Sequence, residues 1–227
     1  MLKNIFNLFY PEICICCNKN LVKTEKHICS DCLVGLPYTQ HHKNLDNDLI
    51  KIFWGRTIIQ SACSLFYYRK GGVVQKILRG IKYQDNKDVS TYLGRYFATI
   101  LKDTVKEKQI DAVAAIPLHK SRIRKRGYNQ SELIAQGMAE VLQIESCSMN
   151  LKRVIATKTQ TQKGRIDRLD NVSNIFSVSN SNVLKSKHIL LVDDVITTGA
   201  TIESCANEIL KIEGCKVSIA SLAFAKN

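Results

Sequence analysis

The sequence predicts an α/β chain, a parallel sheet flanked by helices, with a small metal-binding module in front of it. Three observations predict this. Short apolar runs alternate with helical stripes from residue 56 onward, four cysteines form two tight pairs near the start, and the run Ile189 to Val192 ends on two carboxylates and a Thr/Gly-rich turn. Alternation of this kind builds parallel strands whose crossover helices cover both faces. At 227 residues the chain has room for one large domain and a small appendage. The division is expected at 1–55 for the module and its connector and 56–227 for the main domain.

Cys14, Cys17, Cys29 and Cys32 have the spacing C-x2-C-x11-C-x2-C of a four-thiolate zinc site. Two residues between paired cysteines let a knuckle turn aim both sulfurs at one metal, and the second pair closes the tetrahedron. A closed set leaves no position for substrate, so the zinc is expected to be structural. Cys16 adds a third thiol that could replace Cys14 or Cys17 as ligand. His27, His41 and His42 read as exposed loop histidines, and Cys63, Cys147, Cys205 and Cys215, among apolar neighbours, as core residues. Nine cysteines is an odd number in a chain too large to need staples, which argues against a disulfide framework.

From Leu33 to about Gly55 the chain is polar and reads as an irregular connection. Ser61 to Tyr68 reads as a strand, and Val73, Val74, Ile77, Leu78 and Ile81 keep helical spacing. Val89, Tyr92, Leu93, Tyr96, Phe97, Ile100 and Leu101 form a second helical stripe. A strand over Asp111 to Ile116 stops at Pro117, and Ser131 to Leu142 is helical. Ile189 to Val192 is a buried strand, Ile202 to Leu210 an amphipathic helix, and Val217 to Phe224 a final strand.

The most informative stretch is Ile189-Leu190-Leu191-Val192-Asp193-Asp194-Val195-Ile196-Thr197-Thr198-Gly199-Ala200-Thr201. In an open parallel sheet, ligands bind outside the carboxyl ends of strands. Backbone N–H groups of the turn, with a helix N-terminus behind them, make a nest for phosphate. The adjacent carboxylates suit something hydroxylated or a metal ion, and a ribose 5-phosphate satisfies both ends. The alternative is that Thr198 or Thr201 merely caps the next helix.

This segment resembles the phosphoribosyl-pyrophosphate (PRPP) motif of type I phosphoribosyltransferases, an apolar run, two acids, two apolar residues and Thr-x-Gly-x-Thr. The resemblance implies that Asp193 and Asp194 hold the ribose hydroxyls and that Thr197, Thr198, Gly199, Ala200 and Thr201 wrap the 5-phosphate. Purine-salvage members of the hypoxanthine–guanine type carry an Asp where this chain has Thr197, which argues against that subclass.

The chain carries 33 Lys+Arg against 20 Asp+Glu, a formal +13. Such an excess points to anions: nucleic acid, phosphorylated small molecules or an acidic membrane face. Two segments hold most of it. His119 to Gln130 contains Lys120, Arg122, Arg124, Lys125 and Arg126 with no acid, and Lys152 to Arg168 is equally basic overall, so together they hold +10. They read as a grip on pyrophosphate, with Lys120, Arg122 or Arg126 receiving the leaving group and Lys163 or Arg165 closing over it. Thr157 to Gly164 has no apolar residue and reads as a loop over the site.

Pro117-Leu118-His119, Arg126-Gly127-Tyr128-Asn129-Gln130, and Arg153…Thr157…Gln160…Arg168…Asn171…Phe176 resemble the ComF family, as does the leading four-cysteine module. The resemblance implies a type I phosphoribosyltransferase fold, Mg-PRPP as ligand with Asp193, Asp194, Arg126, Lys163 and Arg165 in catalytic roles, and a part in natural transformation. The alternative is a non-catalytic protein that binds single-stranded DNA through its basic loops and aromatics such as Trp54, Tyr67, Tyr68 and Tyr128, or a scaffold docking a competence helicase. No run approaches the roughly 18 to 20 apolar residues of a membrane span, and Pro11 and Glu12 interrupt the apolar opening, so a cytoplasmic chain without a secretory signal is expected.

Overall fold

The computed structural model describes residues 12–83, 86–155 and 175–226. The first described element is a pair of knuckle turns. An antiparallel bridge joins Ile13 to Asn20, and a second joins Lys26 to Ile28. A five-residue helix, α1 (Ser30–Val34), follows Cys29 directly.

The connector is more ordered than its polar sequence predicts. His41–Lys43 form a 3-10 turn, and α2 (Asp48–Lys51) is a short helix. The reason is Asn47, whose side-chain oxygen accepts from the N–H groups of Leu49 and Ile50 while its amide donates to Ala62 O at 2.9 Å. An N-cap that also reaches the sheet fixes the segment in place. His41 is buried rather than exposed, 3% accessible. Its Nδ1 accepts from Ser64 N and its Nε2 meets Asp48 at 2.8 Å, so this histidine staples the connector to β1 (Ala62–Tyr67). His27 and His42 are half-buried.

The remaining elements contain the predicted strands and helices in their predicted order, together with one helix and three short strands between residues 120 and 178 that the sequence reading did not place. They are α3 (Val73–Tyr83), α4 (Lys87–Glu107), β2 (Ala112–Ala115), α5 (Lys120–Arg126), α6 (Gln130–Leu142), β3 (Glu145–Ser146), β4 (Leu151–Arg153), β5 (Phe176–Val178), β6 (His188–Ile196), α7 (Ala200–Leu210) and β7 (Lys216–Phe224). Among the described residues, five strands form one parallel sheet in the order β1-β7-β6-β2-β3, and β4 and β5 pair antiparallel beside it.

Residue alternation along β6 divides the interior into two cores. Leu190 and Val192 pack with α3, α4, α6 and the cysteine module. Ile189 and Leu191 pack with α7, Phe176, and Leu49 and Phe53 of the connector. β6 runs four residues beyond its apolar stretch, because Asp193, Val195 and Ile196 stay in register with Ser221, Ala223 and Phe224 of β7. The two carboxylates therefore sit inside the strand's last turn of pleat, not in the loop after it.

Helices α4 and α6 touch backbone to backbone. A Cβ on Gly94 would lie 2.3 Å from Ile134 O, and one on Gly137 would lie 2.3 Å from Thr91 O. At the β1 edge, Tyr38 bridges to Phe66, Thr39 N donates to Leu65 O and Tyr67 N donates to Pro37 O. No helix among the described residues is long and apolar enough to cross a membrane.

Candidate functional site

Two clusters carry chemistry. In the first, the sulfurs of Cys14, Cys17, Cys29 and Cys32 lie within 4.8 Å of one another, with Cys17 and Cys29 at 3.7 Å. A tetrahedral ion with metal–sulfur bonds of ~2.3 Å requires sulfurs about 3.8 Å apart. The set therefore fits a tetrahedral metal such as zinc. Backbone geometry aims the sulfurs: Asn18 sits in the left-handed region (φ 63°) and its N–H closes a turn on Cys14 O, while Cys29 N donates to the Cys14 sulfur at 3.3 Å. Burial raises the Cys14 thiol, but the N–H groups of Cys29, Cys17 and Cys16 outweigh it and hold the thiol down, to about 6. Cys16 stands outside the set, buried against the neighbouring core and pushed up to about 12 by that burial. Cys14 and Cys17, rather than Cys16, lie together with Cys29 and Cys32.

The second cluster lies at the carboxyl end of β6. Pleating sends the two carboxylates apart. Asp194 meets the ammonium of Lys82, from the end of α3, in an ion pair. Asp193 accepts from the Ser131 hydroxyl, at the start of α6, at 2.9 Å and from Asp194 N at 2.9 Å. Burial first, and the adjacent Asp194 charge second, push the Asp193 carboxyl well above the usual carboxylate range. Asp193 also borders a small cleft of about 50 Å³ formed with Val195 to Ile202. Typical ligand pockets measure ~300–1,000 Å³, so this cleft matches one anionic group rather than a whole nucleotide.

The turn itself is built for a close approach. Gly199 has φ +77°, and a Cβ there would lie 2.9 Å from the Phe53 ring. Thr197, Thr198, Ala200 and Thr201 are exposed. Gly199 is the N-cap of α7, and among the described residues no side chain accepts from the helix's first N–H groups, so neither Thr198 nor Thr201 caps it. The orphan donors of an eleven-residue helix thus face the cleft.

The basic residues are placed less uniformly. Lys120 opens α5 just past β2 and is exposed, with Arg122 two residues on and half-buried. Arg126 bends to Gln130 Oε1 at 3.0 Å. Arg153 closes β4, stacks on Phe176 at 5.3 Å, and lies in electrostatic reach of Arg122 and Asp193. Burial and then the Arg122 charge lower its guanidinium, and Asp193 counters them. Lys163 and Arg165, and the rest of the loop Thr157 to Gly164, lie outside the described residues.

Of the four aromatics considered for base stacking, Trp54 is 62% exposed. Tyr67 packs on His41 and Phe224, Tyr68 accepts from Gln75, and the Tyr128 hydroxyl donates to Ile81 O. Sequence reading missed Lys82 and Ser131 as partners of the acids. Lys82 left a signal, the cation in the last turn of α3 after its apolar stripe, but the strand it meets lies more than a hundred residues away.

With this geometry in view, residues 93–227 match the phosphoribosyl transferase domain family. Over nearly all its length the chain is similar to competence protein F of Haemophilus influenzae, 28% identical with 96% of this chain and 99% of that protein covered. It is also similar to the DNA utilization protein YhgH of Escherichia coli (27% identical, covering 91% and 88%) and to competence protein ComFC of Bacillus subtilis (24%, covering 95% and 85%).

Proposed function

The chain belongs to the phosphoribosyl transferase domain family, in its ComF branch, and from that premise we propose that it acts in DNA uptake in the cytoplasm and binds PRPP or a related ribose 5-phosphate at residues 193–201. The observation that carries this reading is the uncapped turn at Gly199 set against an acid pair at one strand end. The 5-phosphate sits on the N–H groups and hydroxyls of Thr197 to Thr201, and the ribose diol faces Asp193 and Asp194. Lys120, Arg122 and Arg126 take the pyrophosphate, with Lys163 and Arg165 completing the grip. Magnesium, when bound together with the ligand, would supply charge neutralisation on pyrophosphate. The residues present fit that arrangement, since Ser131 and Lys82 already engage the carboxylates and leave ligand oxygens to hold most of the ion.

For transfer, this chain's part is to orient the ribose through the acid pair and to place cations where pyrophosphate charge develops. The four cysteines hold a structural zinc, and the segment 1–55 acts as a module attached to the domain 56–227. A second reading has its own support in the exposed Trp54 beside Lys51 and the cationic α5: a protein that binds single-stranded DNA or docks a competence helicase, with the pocket as a sensor. Titration calorimetry with PRPP and Mg²⁺ tests the pocket. Saturable heat in the native chain, weakened at least ~100-fold in the double variant Asp193→Ala/Asp194→Ala, is expected from loss of two charge-assisted hydrogen bonds. Absence of heat in the native chain rejects the ligand. Pyrophosphate release with nucleobases or amines separates the enzyme from the sensor, and a flat salt response of single-strand binding rejects the DNA reading.

A further inference from the structure

The underside of the turn 197–201 is not built by the phosphoribosyl transferase segment alone. It is closed by the connector, through Arg56. Asn47 caps α2, Leu49 and Phe53 enter the core beneath α7, and Gly55 (φ 70°) turns the chain so that Arg56 lies along the start of that helix. From there one guanidinium makes three contacts. Nη1 donates to Ile52 O at 2.9 Å and to Thr198 O at 3.0 Å, and Nη2 pairs with Glu203 in the first turn of α7. Thr57 adds a hydrogen bond to Asn207 at 2.6 Å one turn further along the same helix.

Two physical consequences follow. A trans peptide is planar, with its C=O and N–H pointing in opposite directions. Tying Thr198 O downward to Arg56 therefore aims the Gly199 N–H the other way, up into the cleft. Second, a carboxylate near a helix N-terminus competes with a bound anion for the same positive end of the dipole. Glu203 is such a carboxylate, and Arg56 neutralises it. Arg56 lies outside residues 93–227, the stretch that matches the family.

We propose that Arg56 is a positioning residue for the phosphate turn, holding the Thr198–Gly199 peptide so that its N–H faces an incoming phosphomonoester. The inference rests on the ribose-phosphate reading above for its ligand, though not for the clamp itself. The guanidinium suits the place because Nη1 reaches both carbonyls while Nη2, held by Glu203, fixes the plane of the fork, an orientation that a freely rotating ammonium on its flexible stem does not hold. The exposed ion pair to Glu203 contributes little stability by itself, so the clamp acts through the two carbonyls.

The test uses the full chain and the variants Arg56→Ala, Arg56→Lys and Glu203→Gln. Hydrogen exchange read on peptides covering 196–203 tests the clamp without any ligand. Arg56→Ala and Arg56→Lys are expected to speed exchange there about tenfold, with α4 peptides unchanged and Glu203→Gln close to native. In parallel, calorimetry with ribose 5-phosphate is expected to show about tenfold weaker binding for both Arg56 variants at unchanged stoichiometry. Stoichiometry reports the folded fraction, so a merely destabilised protein would lower that number and leave the affinity of the remainder intact. Native exchange at 196–203 in Arg56→Ala overturns the proposal, as does full rescue by lysine or an equal effect from Glu203→Gln. If exchange rises as expected but neither native nor variant protein binds ribose 5-phosphate, the clamp stands and the ribose-phosphate reading falls.

Discussion

The cysteine cluster and the end of β6 are both gatherings of polar groups held by turns, yet they are built in opposite ways. The four sulfurs point at one another within 4.8 Å, and backbone N–H groups are spent on holding them there. At β6 the groups diverge: Asp193 and Asp194 go to different partners, and the first N–H groups of α7 receive no side chain from the described residues. A set that converges is complete once a metal joins it, which suits architecture. A set that leaves donors unpaired at the surface is complete only when something else arrives. Closure and openness, more than residue type, separate the cluster that fits a metal from the candidate ligand site.

Breaking the closed set should have the largest effect. Cys29→Ser removes one of the four clustered thiols while leaving a residue suited to start α1. It should abolish stoichiometric zinc by metal analysis and unfold the module, because metal affinity and folding are one free energy in such sites, on the order of 10 kcal/mol. Retention of one zinc by the variant would mean that Cys16 can enter the set.

The open set should respond more moderately and more locally. Gly199→Val combines a left-handed backbone with a Cβ that meets Phe53. A loss of about 2–4 kcal/mol by denaturant titration is expected, with ligand heat lost and zinc retained. Lys82→Met leaves the Asp194 carboxylate beside a half-buried methionine. The cost should be about 1–3 kcal/mol, below that of a fully buried pair because both side chains keep some exposure, and Lys82→Arg should recover most of it.

The smallest effect sharpens the comparison furthest. Asp193 is raised in the folded chain above its unfolded value. It therefore subtracts stability as pH climbs from the unfolded carboxylate value near 4 toward neutrality, and subtracts nothing below that window. Asp193→Asn should melt a few degrees higher than the native chain at pH 7.5, the gap closing by about pH 4. A gap that widens in acid would mean that Asp193 is stabilising rather than held ready at a cost.

Much of this was legible in the sequence, and what was not has a common cause. Strands β1, β2, β6 and β7 and the long helices were readable because apolar period is a local signal, whereas β3, two exposed polar residues, carries none. The cysteine set was readable because two-residue spacing is local too. Lys82, Ser131 and Arg56 were not, since each acts on a group far away along the chain. His41 was misread because nothing local distinguishes a histidine that meets Asp48 and Ser64 N from one in water. The order in the connector had a signal after all, Asn47 ahead of an acid and two apolar residues, and polar composition masked it.

The short contacts at the margins of the sheet bear on how this molecule can assemble. The outer side of β1 is already occupied by Pro37, Tyr38 and Thr39, and the opposite margin, β3, is only two residues long. A bare strand margin invites a passing chain to pair with it, which is the usual route to aggregates and to partners that dock by adding a strand. Neither margin offers that invitation. Among the described residues, a macromolecule that approaches the five-stranded sheet must therefore recognise side chains on the helices and turns around it, and mutations that weaken such an assembly should map there.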